Sequence, residues 1–404
     1  MTTVDLVEHA PARRVPLPDG AGRALAASKI VDAAPDPYEP GLWRLRARSK
    51  VGAVVVDVPG DEPVTLRVTP KVPIARLFFL LGYSLDPRGW LDGEVEADEH
   101  EELLPALAHA VERQTDRALR RGLLQGYRAT EQTAFVVRGR IKEAEQIRRR
   151  FGAALPVEVA YDEFTTDIAE NRILRAAVER LLRLPGVPRA VRARLMHQRA
   201  RLADAAPLVR GQAIPEWRPN RLNARYHRAL QLARIVLDGA SAEHLPGGIR
   251  MNGFLFDMNK VFEDFVCVAL NNALAPYGGR GVLQAKNVHL DEEAAVRMRP
   301  DFVWYGESGV PAAVADAKYK VGTPEGYPDA DLYQMLAYCT ALGLREGHLV
   351  YAKGSAPHAG HHVRRSGVML HQHAVSMGAP SAVLLAEIRA LAERMAGSRR
   401  HAGA

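Results

Sequence analysis

This 404-residue sequence predicts an α+β fold in three main parts. Three observations point to it: alternating and β-branched runs up to about residue 72, leucines at helical spacing from about residue 101, and strand-like apolar runs between helical segments beyond residue 246. The expected divisions are a disordered or extended N-terminus at 1–22, a β-rich module at 23–100 and a mainly helical region at 101–245. An α/β domain with a mixed sheet follows at 246–395, then a disordered tail at 396–404.

In the first part Trp43, Leu45 and Ala47 alternate with Arg44, Arg46 and Arg48, the pattern of a strand with one buried face. Val51 to Val58 and Val64 to Val72 follow across a Pro-Gly-Asp-Glu-Pro turn, giving a small barrel or curled sheet. The arginine row reads as a solvated strand face or a docking surface.

In the second part Leu103, Leu104, Leu107, Val111, Leu119, Leu123 and Leu124 keep helical spacing. Most of the many arginines here read as exposed helix faces paired with nearby glutamates. Arg138 and Arg140 stand apart, because Gly139 between them would permit close backbone approach. They are candidates for gripping a phosphate backbone or for contacting a partner protein. Asp162, Asp167, Glu170 and Asn171 sit at a helix start and read as capping and dipole neutralisation, with Asn171 and Arg172 making internal bonds.

The third part carries the chemistry. A helix from Met258 to Leu274 places Lys260, Glu263, Asp264, Cys267 and Asn271 along one side. Arg299-Pro300-Asp301-Phe302-Val303 precedes Val314-Ala315-Asp316-Ala317-Lys318. Strand alternation sends Asp316 and Lys318 out of one face, roughly 7 Å apart, and Ala315 and Ala317 out of the other. Asp329 then reads as the N-cap of a helix with Asp331, Gln334 and Tyr338 on one face. Carboxylates on neighbouring strands are hard oxygen donors suited to Mg²⁺, which binds through few protein groups and keeps several waters. Asp301 and Asp316 are the expected ligands, with the Ala317 carbonyl completing the shell and Glu263 supporting it. Lys318 would handle the attacking water, and Gln334 and Tyr338 would position DNA or brace the site. The late histidines His358, His361, His362, His371 and His373 lie without cysteines in an expected hairpin and loop, facing solvent or DNA rather than zinc.

The order of these segments resembles the PD-(D/E)xK nuclease superfamily, particularly its RecB-like branch. Leu66 to Val72, Arg138 to Ile141, Asp167 to Arg172 and Phe256 to Glu263 narrow the resemblance to the McrC family, from about residue 40 to 355. The resemblance implies a Mg²⁺-dependent DNA endonuclease subunit of an McrBC-type restriction system, used in phage defence. It further implies a partner: an McrB-like AAA+ NTPase ring, hydrolysing GTP or ATP, that recognises modified DNA and whose hydrolysis this chain stimulates. In such a system the β-rich N-terminal module docks on the ring. A stand-alone RecB-like exonuclease and a non-cleaving regulatory subunit are the other classes left open.

Composition is consistent with these expectations. The chain has 54 basic and 47 acidic residues, a net charge of +7, favouring contact with a polyanion, although only nine of the basic residues are lysine, a bias that genome composition also produces. It has no phosphate-binding loop of the Gly-x-x-x-x-Gly-Lys-[Ser/Thr] type, so nucleotide-driven motion is assigned to a partner. Two cysteines fit a reducing cytoplasm, and no apolar run is long enough for a membrane role. Double-strand cleavage requires two centres, hence self-association in the active assembly.

Overall fold

The computed structural model describes residues 2–87, 102–151, 153–209, 211–245, 249–321, 329–353 and 358–397. They form two compact units, one of Met1–Leu103 with Ser241–Ala404 and one of Leu104–Ala240.

The first unit opens with β1 (Thr2–Val7), β2 (Arg13–Pro16), α1 (Asp19–Ser28), β3 (Val31–Pro35), β4 (Leu42–Ala47), β5 (Lys50–Asp57), β6 (Val64–Thr69) and α2 (Ile74–Leu85). The residues expected to be disordered or extended at the N-terminus are ordered strands: β1 runs parallel to β6, burying Val4 and Leu6. Trp43, Leu45 and Ala47 are buried as their alternation requires, and Gly22 leaves room for the Trp43 ring, which an added Cβ would meet at 2.1 Å. The opposite arginines are partly neutralised within the module, Arg44 by Asp36 and Arg48 by Asp32.

The second unit holds α3 (Leu103–Leu119), β7 (Gly126–Ala134), β8 (Arg140–Ile141), α4 (Glu143–Arg150), β9 (Val157–Thr165), α5 (Ala169–Arg183), α6 (Arg189–Arg201) and α7 (His227–Gly239). Besides the expected helices it carries a three-stranded antiparallel sheet in the order β7-β9-β8. The less exposed face of β7 carries Gly126, Arg128, Thr130, Gln132 and Ala134 rather than large apolar residues, so it lacks the apolar alternation that announces a strand. The acidic group at the start of α5 does not cap it: Ile168 is the N-cap residue and makes no side-chain cap bond. Asp167 instead binds Arg172 (2.5 and 2.6 Å) and Arg128, and the Arg172 bond, despite opposing burial, holds its carboxyl well below the usual range. Asn171 donates to the Leu124 and Thr166 carbonyls.

The chain then returns to the first unit through β10 (Ala240–Leu245), β11 (Ile249–Asp257), α8 (Met258–Leu274), β12 (Arg280–Leu283), β13 (Val288–His289), β14 (Arg297–Met298), β15 (Phe302–Tyr305), β16 (Pro311–Val321), α9 (Asp329–Leu342), β17 (Glu346–Lys353), β18 (His358–His362), β19 (Met369–Ala374) and α10 (Ser381–Gly397). Here the structure departs from the expected division into separate N- and C-terminal domains. β11 pairs antiparallel with β5 from Arg250↔Asp57 to Asp257↔Lys50, so strands from before and after the second unit share one sheet, ordered β1-β6-β5-β11-β10. The physical cause is apolar burial on both faces of β11: Met251 on one face and Phe254 and Phe256 on the other are all buried in this arrangement.

The second large sheet is mixed, in the order β12-β15-β16-β17-β19-β18, with β16, β17 and β19 parallel and the rest antiparallel. Val303, Val314, Leu349, Tyr351 and Leu370 of this sheet form a core with Met335, Tyr338 and Cys339 of α9. α8 packs on β16, with Asp257 as its N-cap accepting from the Asn259 amide at 3.0 Å. No helix among the described residues is long and apolar enough to cross a membrane.

Candidate active site

The antiparallel pair β15–β16 brings the two aspartates together. Phe302 stands opposite Ala315, which leaves Asp301, just before β15, beside Asp316 and Ala317. The Ala317 amide donates to Asp301 Oδ2 at 2.9 Å. Alternation then puts Lys318 on the face of Asp316, and its Nζ lies 2.5 Å from Asp316 Oδ2.

Gln334 and Tyr338, one helical turn apart on α9, extend this arrangement into a chain of hydrogen bonds. Lys318 Nζ donates to Gln334 Oε1 at 3.0 Å, Gln334 Nε2 to the Tyr338 hydroxyl at 2.7 Å, and that hydroxyl to the Arg299 carbonyl at 3.2 Å. The chain ends two residues from Asp301. Gln334 and Tyr338 therefore brace the lysine. Glu263 on α8 is near enough that its charge acts on Asp301, completing the set of six residues singled out from the sequence.

Crowded negative charge dominates the electrostatics. Burial first, then the charge of Asp316, pushes Asp301 up to about 7. Burial and the charge of Asp264 also raise Glu263. Burial alone would lower Lys318, but attraction to Asp316 and Asp301 outweighs it and the ammonium is held above its ordinary value. Burial, then the charge of Asp316, raises the Tyr338 phenol, keeping it a neutral donor.

The donors present fit a hard divalent cation. Asp316 is buried, and its Oδ2 accepts no well-formed hydrogen bond; it has only the charge of Lys318 beside it. Among the described residues no three His, Cys, Asp or Glu side chains converge on a point that would hold a metal alone.

One member of the site had no signal in the sequence. Gln284, held at φ 51° between β12 and β13, donates through Nε2 to Asp301 Oδ1 at 3.1 Å. It belongs to no periodic run or motif.

Other candidates lie elsewhere. Arg138 and Arg140 are exposed in the second unit, and Gly139 serves a close approach to the chain's own backbone: an added Cβ would lie 2.4 Å from the Ala160 carbonyl oxygen of β9. Nor do the late histidines all face solvent. His373 is buried, with Nε2 3.1 Å from Nδ1 of buried His348, while His371 meets Glu346 at 3.2 Å and His361 meets Gln372 at 3.0 Å. These contacts come from the pairing of β17 and β18 with β19, which places distant histidines side by side.

Fold and site together describe an α+β protein with paired aspartates and a braced lysine on two inner strands of a mixed sheet. Residues 45–352 match the family model for the McrBC 5-methylcytosine restriction system component, and the chain belongs to that family. A chain in the refined half-complex from the tetradecameric assembly of Thermococcus gammatolerans McrB AAA+ hexamers with bound McrC has a similar fold. It matches with a TM-score of 0.56 and 18% identity over 98% of this chain and 100% of that one. A chain in the cryo-EM structure of the Thermococcus gammatolerans McrBC complex gives 0.38 and 21% over 68% of this chain and 88% of that one. No curated protein matches.

Proposed function

We propose that this chain is the Mg²⁺-dependent DNA-cleaving subunit of an McrBC-type restriction system, its second large sheet with α8 and α9 being a PD-(D/E)xK nuclease domain. The observation that carries the reading is the Asp301–Asp316 pair with Lys318 on the same face, held by Gln334. Mg²⁺ bound by Asp301 and Asp316, with the Ala317 carbonyl and Glu263 in support, would supply Lewis acidity and a water of lowered pKa. Lys318, kept charged and aimed by Gln334, orients the attacking water and offsets charge growing on the phosphate. The water oxygen joins phosphorus, and the leaving oxygen departs with a proton.

The partner is an McrB-like AAA+ ring using GTP or ATP. Support comes from family membership and from the fold neighbour, which is drawn from an assembly of McrB AAA+ hexamers with bound McrC. Modified DNA is the substrate, two copies supply the two cuts of a double-strand break, and the cytoplasm, where two buried free cysteines stay reduced, is the site of action.

The test compares wild type with Asp316→Ala on methylated and unmodified plasmid, in Mg²⁺ and GTP or ATP with the NTPase present. Expected is a loss of cleavage of about 10²–10³-fold, on the order of one essential electrostatic group, with NTPase stimulation retained. Unchanged cleavage in the variant would remove Asp316 from the site. Stimulation without wild-type cleavage would make the chain a regulatory subunit.

A further inference from the structure

The hairpin β13–β14 lies next to the aspartate pair and has no role in the chemistry above. Its strands join Val288↔Met298 and His289↔Arg297. Val288 and Met298 turn into the core shared with α9, so alternation sends Arg297 and Arg299 outward. Lys286, just ahead of β13, is exposed, as are both arginines. Among the described residues none of these three cations pairs with a carboxylate, whereas the arginines around Asp36, Asp167 and Glu158 are held in ion pairs.

The hairpin is tied to the site at its base. The Gln284 amide donates to the Asp301 carbonyl at 2.8 Å, the Ala285 amide to the Pro300 carbonyl at 3.1 Å, and Tyr338 to the carbonyl of Arg299 itself. Arg299 is close enough for its charge to act on Glu263. The far end has the opposite sign: Asp291 is turned back onto the Ala295 and Val296 amides, while Glu292 and Glu293 are exposed. Positive charge thus concentrates where the hairpin meets the aspartates and gives way to negative charge at its tip.

We infer that the base of this hairpin is the phosphate-backbone grip of the nuclease, with Lys286, Arg297 and Arg299 holding duplex DNA so that one phosphodiester meets Asp301 and Asp316. This rests on the nuclease reading and adds where the substrate lies. The three cations make no base-specific contact in this role; they set position and affinity, with the acidic tip turning the backbone away from the outer end.

The test measures equilibrium binding of the full-length chain to a 30-base-pair duplex across a salt series without divalent metal. Wild type is compared with the triple variant Lys286→Ala/Arg297→Ala/Arg299→Ala and with Arg138→Ala/Arg140→Ala. A triple glutamine variant at the same three positions preserves bulk, and thermal melts report folding. Losing three phosphate contacts should reduce the slope of log K against log salt by roughly 2.7, at about 0.9 per contact, and weaken binding at low salt on the order of 10²-fold. With the NTPase present, KM for DNA should rise more than kcat falls. Wild-type binding with an unchanged slope in both triple variants overturns the inference and leaves the nuclease intact. A slope loss confined to the Arg138/Arg140 variant also overturns it, moving the grip to the second unit. Wild type that neither binds nor cuts DNA, even with the NTPase, overturns the nuclease reading and this inference with it.

Discussion

Asp301 is the residue at which structure changes chemistry most. A surface aspartate titrates near 4, whereas this one is pushed up to about 7 by burial and by Asp316. Between those two values the folded, metal-free protein binds a proton that the unfolded chain has released. Its stability contribution therefore falls as pH rises through that window. Asp301→Asn should melt several degrees above wild type at pH 8 without metal, with the gap closing near pH 4. On the proposed function Mg²⁺ would reverse the penalty: at pH 6.5 its binding should release protons, seen as a buffer-dependent heat, and Asp316→Ala should abolish that release. Equal melting of Asp301→Asn and wild type across pH 4–8 would contradict the shifted titration. Asp316 and Lys318 were legible as a pair because Asp-x-Lys on a strand fixes a shared face. Gln284 was not, since its contact depends on a positive φ and a pairing seventeen residues away.

At the scale of elements, β16 works on both faces. Asp316 and Lys318 turn toward α9, while Tyr319 turns toward α8, its ring 6.0 Å from Phe262 and its hydroxyl 3.1 Å from Glu8 Oε2. Glu8 is fully buried just after β1, also accepts from the Lys71 amide at 3.1 Å, and is raised chiefly by burial. Tyr319→Phe takes away one of the two donors to Glu8 Oε2, leaving only the Lys71 amide, and should cost about 1 kcal/mol in denaturant unfolding, the net worth of one hydrogen bond. A midpoint equal to wild type would show that the Glu8 contact is energetically idle. Helix α8 was legible to the residue from the spacing of its side chains, and the structure adds Asp257 as its cap. The β7–β9–β8 sheet was not: the less exposed face of β7 carries Gly126, Arg128, Thr130, Gln132 and Ala134, which give no apolar alternation to read.

The whole molecule is an interrupted one. Residues 104–240 separate two stretches that fold into one unit, and β11 completes a sheet begun by β1, β5 and β6. A fragment of residues 249–404 should therefore fail to fold alone, with Phe254 and Phe256 losing the β5 side of their burial. Circular dichroism and limited proteolysis would show this, and a cooperative thermal transition in that fragment would refute it. The sequence by itself determined the α+β class, the helix carrying Glu263, the face shared by Asp316 and Lys318, and the pairing of Gln334 with Tyr338 on one side of a helix. All of these follow from backbone periodicity within one element. Only the tertiary structure decided that Asp301 meets Ala317, that Gln284 joins the candidate site, that the N-terminal strand reaches β16 through Glu8 and Tyr319, and that strands from before and after the second unit share a sheet. Such meetings are set by which apolar faces bury one another and which buried polar atoms find partners, and neither condition is written in the spacing of any single segment.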